Sequence, residues 1–161
     1  MTGWYIIDSN KYYKEGTKLK RLVDVGIIEL QTIPDDTGEL MVMESGDGLR
    51  MSIERVFVVS ATKDTRRGCH AHKECTQILI CLSGACTVLC DDGENRKSFE
   101  LKKTNQGLFL PPTIWAEQYF TEDQTNLLVL CDHFYDENDY IRDYEVFKNY
   151  RKVSGRQVPI K

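Results

Sequence analysis

Short apolar runs separated by turn residues follow one another along most of this chain, and no other feature constrains its fold so strongly. The runs are rich in β-branched residues, and strands of this length and spacing are typical of antiparallel sandwiches and jelly-roll barrels. The pattern therefore predicts an all-β fold with a barrel over about residues 53–131. Its expected strands are Ile53–Ser60, Cys69–Ala71, Gln77–Leu82, Ala85–Cys90, Lys97–Leu101, Gly107–Leu110, Glu117–Phe120 and Asn126–Cys131.

Turn signals divide the chain further. Between the fourth and fifth runs, Asp91-Asp92-Gly93-Glu94 contains an Asp-Gly step, which is typical of a tight hairpin. Upstream, residues 18–30 predict an edge strand that leads to a turn at Pro34–Gly38. A further strand at Glu39–Glu44 and a turn at Ser45–Gly48 are expected before the barrel begins.

The spacing of aromatic residues changes near the C-terminal end. Tyr140, Tyr144, Phe147 and Tyr150 recur at helical intervals, which predicts an amphipathic helix over about residues 139–151. Asp136 or Asn138 is expected to cap its first turn. The aromatic stripe should pack on the outside of the barrel.

Size and charge limit the classes of protein to consider. The 161 residues fit a single domain, and the formal net charge of −4 argues against nucleic acid and anionic membranes as partners. No run of about 18 apolar residues spans a bilayer, and the start of the chain lacks the pattern of a signal peptide. A cytoplasmic location is therefore expected.

The six cysteines include no Cys-x-x-Cys pair and lie in or beside the apolar runs. We expect reduced thiols that pack as small apolar side chains, rather than disulfides or a zinc site. Cys69 adjoins His70 in sequence, but alternate residues of a strand point to opposite faces. Its thiol should therefore face away from the histidines.

The paired histidines His70 and His72 are the strongest candidates for chemistry. Two residues apart on a strand, they share one face, and in a small barrel that face is the interior. Imidazoles so placed can bind a divalent metal or transfer protons near neutral pH. The alternative without a chemical role is that both histidines are exposed to solvent on an edge strand.

The residues around this pair resemble the motifs of the cupins: Gly68, His70, His72 and Gly84. In that superfamily a carboxylate ligand follows the histidine pair and another histidine lies in a second motif. Here Gln77 stands at the carboxylate position, residues 107–117 contain no histidine, and His133 is the only other one. Two imidazoles alone hold a transition metal weakly. We therefore predict chemistry without a metal or other cofactor.

A narrower resemblance covers about residues 53–150. The chain is similar to the WxcM-like nucleotide-sugar 3,4-ketoisomerases at Arg67, Gly68, His70, Ala71, His72, Lys73, Gln77, Gly84, Asp91, Asp92, Gly93, Gly107, Leu108, Trp115, Glu117, Tyr135, Asp136, Glu137, Asp139, Tyr140, Ile141, Arg142 and Tyr144. The resemblance implies a cupin barrel that converts a dTDP-4-keto-6-deoxyhexose into its 3-keto isomer. A PLP-dependent aminotransferase would then install a 3-amino group for a surface glycan such as lipopolysaccharide. It also implies a homodimer in which N-terminal strands, within about residues 1–50, are swapped.

Within this resemblance His70 is the expected proton shuttle, and His72 orients it, relays protons between sugar oxygens or polarises the carbonyl. The expected substrate-binding residues combine cations suited to phosphate, an amide, an aromatic wall and a carboxylate. They are Arg55, Arg67, Lys73, Gln77, Trp115 and Glu117. A solvated charge is the favoured interpretation for Lys73, and Glu117 is expected to hydrogen-bond the histidines or the sugar.

Three departures from the family leave alternatives open. Phe57 replaces a tyrosine, Ala116 replaces a histidine or arginine, and the segment at residues 36–40 lacks the Arg-Gly or Tyr-Gly turn. The galacto or gluco configuration of the product therefore stays open. One alternative is a non-catalytic cupin that binds a nucleotide sugar, and another is a metal-dependent oxygenase or epimerase.

Overall fold

Two five-stranded antiparallel sheets form the main body of the protein. The computed structural model describes residues 4–8, 11–14, 19–46 and 49–154, and of the first two ranges only the backbone. The strands are β1 (Trp4–Asp8), β2 (Lys11–Lys14), β3 (Gly26–Glu29), β4 (Gln31–Asp35), β5 (Gly38–Val42), β6 (Arg55–Ala61), β7 (Thr65–His72), β8 (Gln77–Ser83), β9 (Cys86–Asp91), β10 (Arg96–Leu101), β11 (Gln106–Leu110), β12 (Trp115–Phe120), β13 (Thr125–Cys131) and β14 (Tyr140–Ile141). Short 3₁₀ turns lie at Leu22–Asp24 and Glu137–Asp139, and one helix, α1, spans Tyr144–Ser154.

One sheet has the strand order β10-β9-β12-β7-β14 and the other β3-β11-β8-β13-β6. Each of the eight predicted runs overlaps one of the strands from β6 to β13, which confirms the all-β prediction. The predicted hairpin is confirmed as well, because Cys90 pairs with Lys97 across β9 and β10. Inward-facing residues of both sheets, among them Leu79, Val88, Leu108 and Val129, form the core of the barrel.

The segment before the barrel adds a second layer to the sheet that contains β8. Strands β4 and β5 pair around the predicted turn, where the Asp35 carboxylate accepts hydrogen bonds from the amides of Thr37 and Gly38 at 2.7 and 3.0 Å. Only part of residues 18–30 is a strand, because Leu22–Asp24 forms a 3₁₀ turn. Strand β3 does lie at a sheet edge. Of the predicted turn at 45–48, residues 47 and 48 lie outside the described residues.

All six cysteines lie in the described part of the chain and are free thiols. Five of them are buried in the core between the sheets: Cys75, Cys81, Cys86, Cys90 and Cys131. Cys69 packs on the other side of its sheet, with Ala71. The five buried cysteines therefore pack among apolar side chains, as expected.

Strand β7, which carries the histidine pair, contains a bulge. The pairing with β12 passes from His70–Ala116 to Gly68–Glu117, so Cys69 has no partner. Gly68 has a φ of +75°, and a Cβ there would lie 3.0 Å from the Ala116 carbonyl oxygen. A bulge of this kind re-aims the residues beyond it and strengthens the local twist.

The C-terminal helix begins later than the aromatic spacing predicts. Tyr140 and Ile141 pair with His72 and Ala71 as strand β14, so the prediction of a helix from residue 139 is wrong. The amide of Val146 bonds to Asp143 at 2.9 Å, whereas Asp136 caps the preceding 3₁₀ turn. Strand pairing and the bonds to Asp139 described below override the helical spacing here.

Helix α1 itself packs where expected. Phe147 and Tyr150 are buried against Ala71, Trp115 and Ile141 on the outside of the barrel. No helix in the described part of the chain is long and apolar enough to span a membrane.

A chain of hydrogen bonds connects α1 to the end of β7. Arg151 Nη1 donates to the carbonyl oxygens of Thr113 at 2.8 Å and Lys20 at 2.6 Å. The amide of Thr113 in turn donates to the His72 carbonyl at 2.6 Å. Thr113 is fully buried, so the helix holds the backbone of the histidine strand through groups that water cannot replace.

We predict that Arg151→Ala lowers the free energy of unfolding by about 2 kcal/mol, because two carbonyl groups lose their donor. Lys152→Ala is the matched control, since Lys152 is an exposed cation on the same helix, and its effect should stay below about 0.5 kcal/mol. Urea unfolding followed by circular dichroism measures both. Equal effects of the two variants would contradict this account.

Candidate active site

A narrow cleft opens inside the barrel beside the histidine strand. Its lining combines a few polar groups with an apolar surround: His70, His72, Cys75, Gln77, Leu110, Pro111, Ile114, Ala116 and Gln118. About 10 Å³ of space remains between them, which is room for about one water-sized group. Any ligand larger than a water molecule must therefore lie mainly at the mouth of the cleft.

The histidine pair shares the inner face, as predicted. The ring centroids of His70 and His72 are 5.0 Å apart, and the rings meet edge to face. His70 is partly exposed, whereas His72 is 5% exposed. His70 is therefore the imidazole that a substrate reaches first, and His72 forms the inner wall.

The environment of His70 makes it a neutral base. Its Nδ1 lies 3.0 Å from the Gly68 carbonyl oxygen, which can only accept, so Nδ1 carries the hydrogen and Nε2 keeps the lone pair. Burial lowers the pKa of His70 to about 4, and the nearby His72 and Arg142 add to that effect. The ring is therefore unprotonated throughout the neutral range.

His72 is paired with a carboxylate. Its Nδ1 donates to Asp139 Oδ2 at 2.6 Å, while its Nε2 is buried and has no hydrogen-bond partner. Asp139 also accepts from the amides of Lys73 at 2.9 Å and Glu74 at 2.7 Å. Burial raises the pKa of Asp139, but these hydrogen bonds outweigh it and hold the pKa below its ordinary value. The carboxylate therefore orients His72 and stabilises positive charge on it.

Tyr140 and Asp139 are functional candidates that the sequence analysis did not single out. The Tyr140 ring lies 5.0 Å from the His70 ring and 4.3 Å from the His72 ring. The aromatic spacing assigned Tyr140 to a helix, which hid its place beside the histidines. The available signal was that both residues belong to the C-terminal motif, Tyr135 to Tyr144, on which the family resemblance rests.

Arg55 reaches this group from the opposite sheet. Its Nη2 donates to the Tyr140 hydroxyl at 3.5 Å and to Cys131 Sγ at 3.4 Å, and its buried Nε has no partner. Gln77 also donates to Cys131, from Nε2 at 3.5 Å. The structure therefore places Arg55 and Gln77, two of the predicted substrate-binding residues, next to the histidine pair.

Two thiols lie under the same cleft. Cys75 and Cys131 lie close enough for each to shift the pKa of the other, and the Cys75 thiol also donates to the Thr76 carbonyl oxygen at 3.4 Å. The Cys75 thiol, together with the hydrogen bond from Arg55, lowers the pKa of Cys131, whereas the pKa of Cys75 rises above its ordinary value. The negative charge of this pair would therefore reside on Cys131, and Cys75 retains its proton.

Two other predicted contacts lie farther from the cleft. Arg67 borders a separate open cavity with Thr65 and Gln124. Lys73 donates from Nζ to the carbonyl oxygen of Asn138. The structure does not bring either side chain into the cleft lining, so their roles as substrate contacts stay predictions.

The expected contact between Glu117 and the histidine pair is wrong. Trp115 and Glu117 lie on the outer face of β12, where Trp115 Nε1 donates to Glu117 at 3.0 Å and Arg66 forms an ion pair with the same carboxylate at 2.7 Å. Because side chains alternate along a strand, Ala116 faces His70 instead. Trp115 packs under α1, so its aromatic ring belongs to the outer apolar layer.

The departures from the family pattern also have places in the structure. Ala116 lines the cleft opposite His70, so no basic group stands there. Phe57 packs against the barrel core, with the Arg55 guanidinium 5.4 Å from its ring. These two departures therefore border the site without removing the histidines or Asp139, whereas residues 36–40 lie in the exposed turn between β4 and β5.

An antiparallel double-sheet barrel with a histidine pair on its inner face is the architecture of a cupin-type enzyme. The family model described as FdtA, WxcM-like, C-terminal matches residues 23–152. The chain belongs to this family, and it is an isomerase.

Named relatives agree with that assignment. The TDP-4-oxo-6-deoxy-alpha-D-glucose-3,4-oxoisomerase of Aneurinibacillus thermoaerophilus is 38% identical over 125 residues, which cover 77% of this chain and 90% of the relative. Among solved structures, the sugar 3,4-ketoisomerase QdtA of Thermoanaerobacterium thermosaccharolyticum, in complex with TDP, is 34% identical with a TM-score of 0.79 over 83% of this chain and 98% of that one. A 3,4-ketoisomerase of Helicobacter canadensis is 38% identical with a TM-score of 0.77 over 80% of this chain and 98% of that one.

We predict that His70 and His133 titrate separately. The His70 ring should stay neutral as the pH falls and should protonate only near pH 4, whereas the hydrogen bond to Asp132 raises the pKa of His133 above the usual value of about 6.5. Nitrogen-15 NMR of the imidazole rings measures this, with His133 as the internal control. A His70 midpoint near 6.5 would contradict the buried site.

Proposed function

We propose that this chain converts dTDP-4-keto-6-deoxyglucose into a dTDP-3-keto-6-deoxyhexose by proton transfer through His70, without a metal ion. The observation that carries the proposal is the pair of imidazoles whose Nε2 atoms keep their lone pairs, because both Nδ1 atoms donate to acceptors. The names of the relatives support the substrate class and the reaction.

The reaction needs two kinds of proton movement. The hydrogen on C3, next to the C4 ketone, is acidic, and His70 Nε2 removes it while the electron pair forms a C3–C4 double bond. His70 exchanges this proton with solvent at the mouth of the cleft and then gives a proton to C4. A base that is neutral at pH 7 and lies at the mouth of the cleft suits both steps.

The hydroxyl proton must also move, from O3 to O4, for the ketone to change position. His72 suits this second transfer, because its buried Nε2 has no partner in the protein and can accept a hydrogen bond from a sugar hydroxyl. Asp139 stabilises the imidazolium that forms when His72 takes the proton. His72 then returns the proton to the other oxygen, so atoms and charge balance.

Arg55 is the proposed contact for the diphosphate or the developing enolate oxygen, since its buried Nε lacks a partner and guanidinium groups suit oxyanions. Gln77, in the cleft, is the proposed hydrogen-bond donor to a sugar oxygen. Arg67 and Lys73 stand farther out and would serve the nucleotide end of the substrate. For Trp115 and Glu117, on the outer face, no direct contact with substrate is proposed.

The proposal that no metal takes part rests on the chemistry of the donors. The amide of Gln77 replaces a carboxylate, and an amide is a poor ligand for the transition metals that histidine pairs hold. Within the described residues, neither of the two groups of three potential metal ligands includes His70. Activity should therefore survive dialysis against a chelator.

The proposal extends to the surroundings of the enzyme. A 3-keto sugar is the form on which a PLP-dependent aminotransferase would act, to give a 3-amino-3,6-dideoxy sugar of a surface glycan. The free thiols suit the reducing cytoplasm. A homodimer with swapped N-terminal strands is also proposed. In the described part of the chain, β1 and β2 pair only with each other, which leaves them available to a partner's sheet.

A non-catalytic protein that binds the same nucleotide sugar is the second candidate. The specific observation in its favour is Ala116, which lines the cleft opposite His70 where the family pattern has a basic residue. Such a protein would bind dTDP-4-keto-6-deoxyglucose in calorimetry and return it unchanged.

We predict that His70→Asn lowers kcat by about 10²- to 10⁴-fold, the usual contribution of a general base. His133→Asn is the matched control, because His133 lies on the surface loop that follows β13 and its side chain is 47% exposed. Turnover of dTDP-4-keto-6-deoxyglucose is followed by proton NMR. Unchanged turnover in His70→Asn would refute the assignment of the base.

We predict that Asp139→Asn lowers kcat by up to about 10⁴-fold with little change in KM, since Asp139 supports His72 and does not line the cleft. The amide cannot stabilise positive charge on His72 as the carboxylate does. Asp123→Asn, an exposed carboxylate that accepts a backbone hydrogen bond from Lys63, is the control. A rise in KM at constant kcat would instead indicate a role in binding.

A further inference from the structure

The side chains that can exchange protons with a ligand lie on one of the two walls of the cleft. His70 and His72 belong to β7, and Tyr140 belongs to β14. The centre of the Tyr140 ring is 5.0 and 4.3 Å from the centres of the two imidazoles. Because β7 and β14 are neighbours in one sheet, a ligand at the mouth of the cleft meets all three groups from the same side.

The facing wall, as far as the structure describes it, presents no such group to the cleft. It belongs to the other sheet, which contributes Gln77 from β8, Leu110 from β11 and Arg55 from β6. Amide and apolar side chains do not titrate, and a guanidinium keeps its protons in proteins. This wall can therefore hold a ligand by hydrogen bonds and contacts, but it supplies no proton.

The two thiols near the cleft leave this asymmetry intact. Cys131 is on β13 of the facing sheet, but it is fully buried and does not line the cleft. Cys75 lines the floor, where it is 2% exposed and its thiol donates to the Thr76 carbonyl oxygen at 3.4 Å. The interior has room for about one water-sized group, so a sugar carbon at the mouth stays out of reach of both thiols.

The wall of the histidines offers no second base beside His70 either. Ala116, which pairs with His70 across β12 and β7, lines the cleft with a methyl group. Gln118, the next residue on the inner face of β12, is buried and ends in an amide. His70 is therefore the proton carrier that a sugar carbon at the mouth meets first, because His72 lies behind it.

The base and a bound sugar ring keep the same faces toward each other. The hydrogen bond of 3.0 Å between His70 Nδ1 and the Gly68 carbonyl oxygen, at the bulge of β7, fixes the direction of the imidazole. The narrow interior leaves a sugar ring no space to turn over between two proton transfers. Both transfers through His70 therefore take place on one face of the ring.

We propose that His70 removes the C3 proton and delivers the C4 proton on the same face of the sugar, so that the product carries an axial hydroxyl at C4. This is the galacto configuration of the 3-keto-6-deoxyhexose. The inference rests on the proposed function and specifies which of its two possible products forms.

The shape of the sugar ring connects the face to the configuration. In the chair form of 4-keto-6-deoxyglucose, the hydrogen on C3 is axial and points to one face of the ring. Axial positions alternate between the two faces around a chair, so the position on C4 that points to this same face is equatorial. A proton delivered there becomes an equatorial hydrogen, and the hydroxyl becomes axial. Delivery from the facing wall would instead give an axial hydrogen and the gluco configuration.

Atoms and electrons balance without a co-reactant. The C3–H bond breaks, and its electron pair forms the C3–C4 double bond of an enediol while O4 gains a proton. The C4–H bond then forms, and O3 loses its proton as C3 becomes the ketone. His70 carries the proton of the carbons and His72 that of the oxygens. The enzyme that consumes this product must accept a C3 ketone next to an axial hydroxyl.

The test follows turnover of dTDP-4-keto-6-deoxyglucose in ordinary water by proton NMR, at early times, before the product epimerises in solution. H4 of a 3-keto product couples only to H5, because C3 carries no hydrogen. The coupling is small when H4 is equatorial, as in the galacto product, and large when H4 and H5 are both axial, as in the gluco product.

The companion variant is Ala116→His, which adds a titratable group to the wall of the histidines and leaves the facing wall unchanged. We expect the small coupling from the first turnovers of both proteins. A gluco product, or a mixture of the two configurations, from either protein would overturn the proposal, since it requires proton delivery to the opposite face. If Ala116→His does not fold, the unaltered chain decides the question alone.

The same spectra separate this inference from the proposed function. A gluco product would overturn the configuration and leave the ketoisomerase standing. The absence of any 3-keto product would refute the proposed function and the configuration together.

Discussion

The hydrogen bond of 2.6 Å between His72 and Asp139 is the interaction on which the site depends. It joins the histidine strand β7 to the segment after β13. The same carboxylate also accepts hydrogen bonds from the backbone amides of Lys73 and Glu74, just after the end of β7. These bonds hold Tyr140 beside both imidazoles. One half-buried carboxylate thus closes the edge of a sheet, fixes the tautomer of a histidine and stabilises its positive charge.

Burial separates the roles of the two histidines. His70 lies at the cleft mouth with a lowered pKa and no carboxylate partner, whereas His72 lies behind it with Asp139. One ring is therefore a neutral base at pH 7, and the other can take a proton with its charge compensated. The division suits a reaction that moves one proton between carbons and another between oxygens.

The barrel could be predicted from the sequence because short runs of β-branched and apolar residues recur along it, with turn residues between them. The two-residue period of a strand placed His70 and His72 on one face. The period alone did not show which face of β12 carries Glu117. In the structure Glu117 lies on the outer face of the barrel, because the neighbouring Ala116 faces inward. Nor could the period place Tyr140, whose helical spacing from Tyr144 hid a strand held by long-range bonds. Contacts between residues far apart in sequence, such as that of Asp139 with His72, leave no periodic signal.

The most direct test of proton transfer as the chemistry of this site is incubation of the chelator-treated protein with dTDP-4-keto-6-deoxyglucose in deuterated water, followed by proton NMR. The account predicts a 3-keto isomer that carries solvent deuterium at C4, and recovered substrate labelled at C3. Bound substrate that returns unchanged, with its original hydrogen at C3, would contradict it.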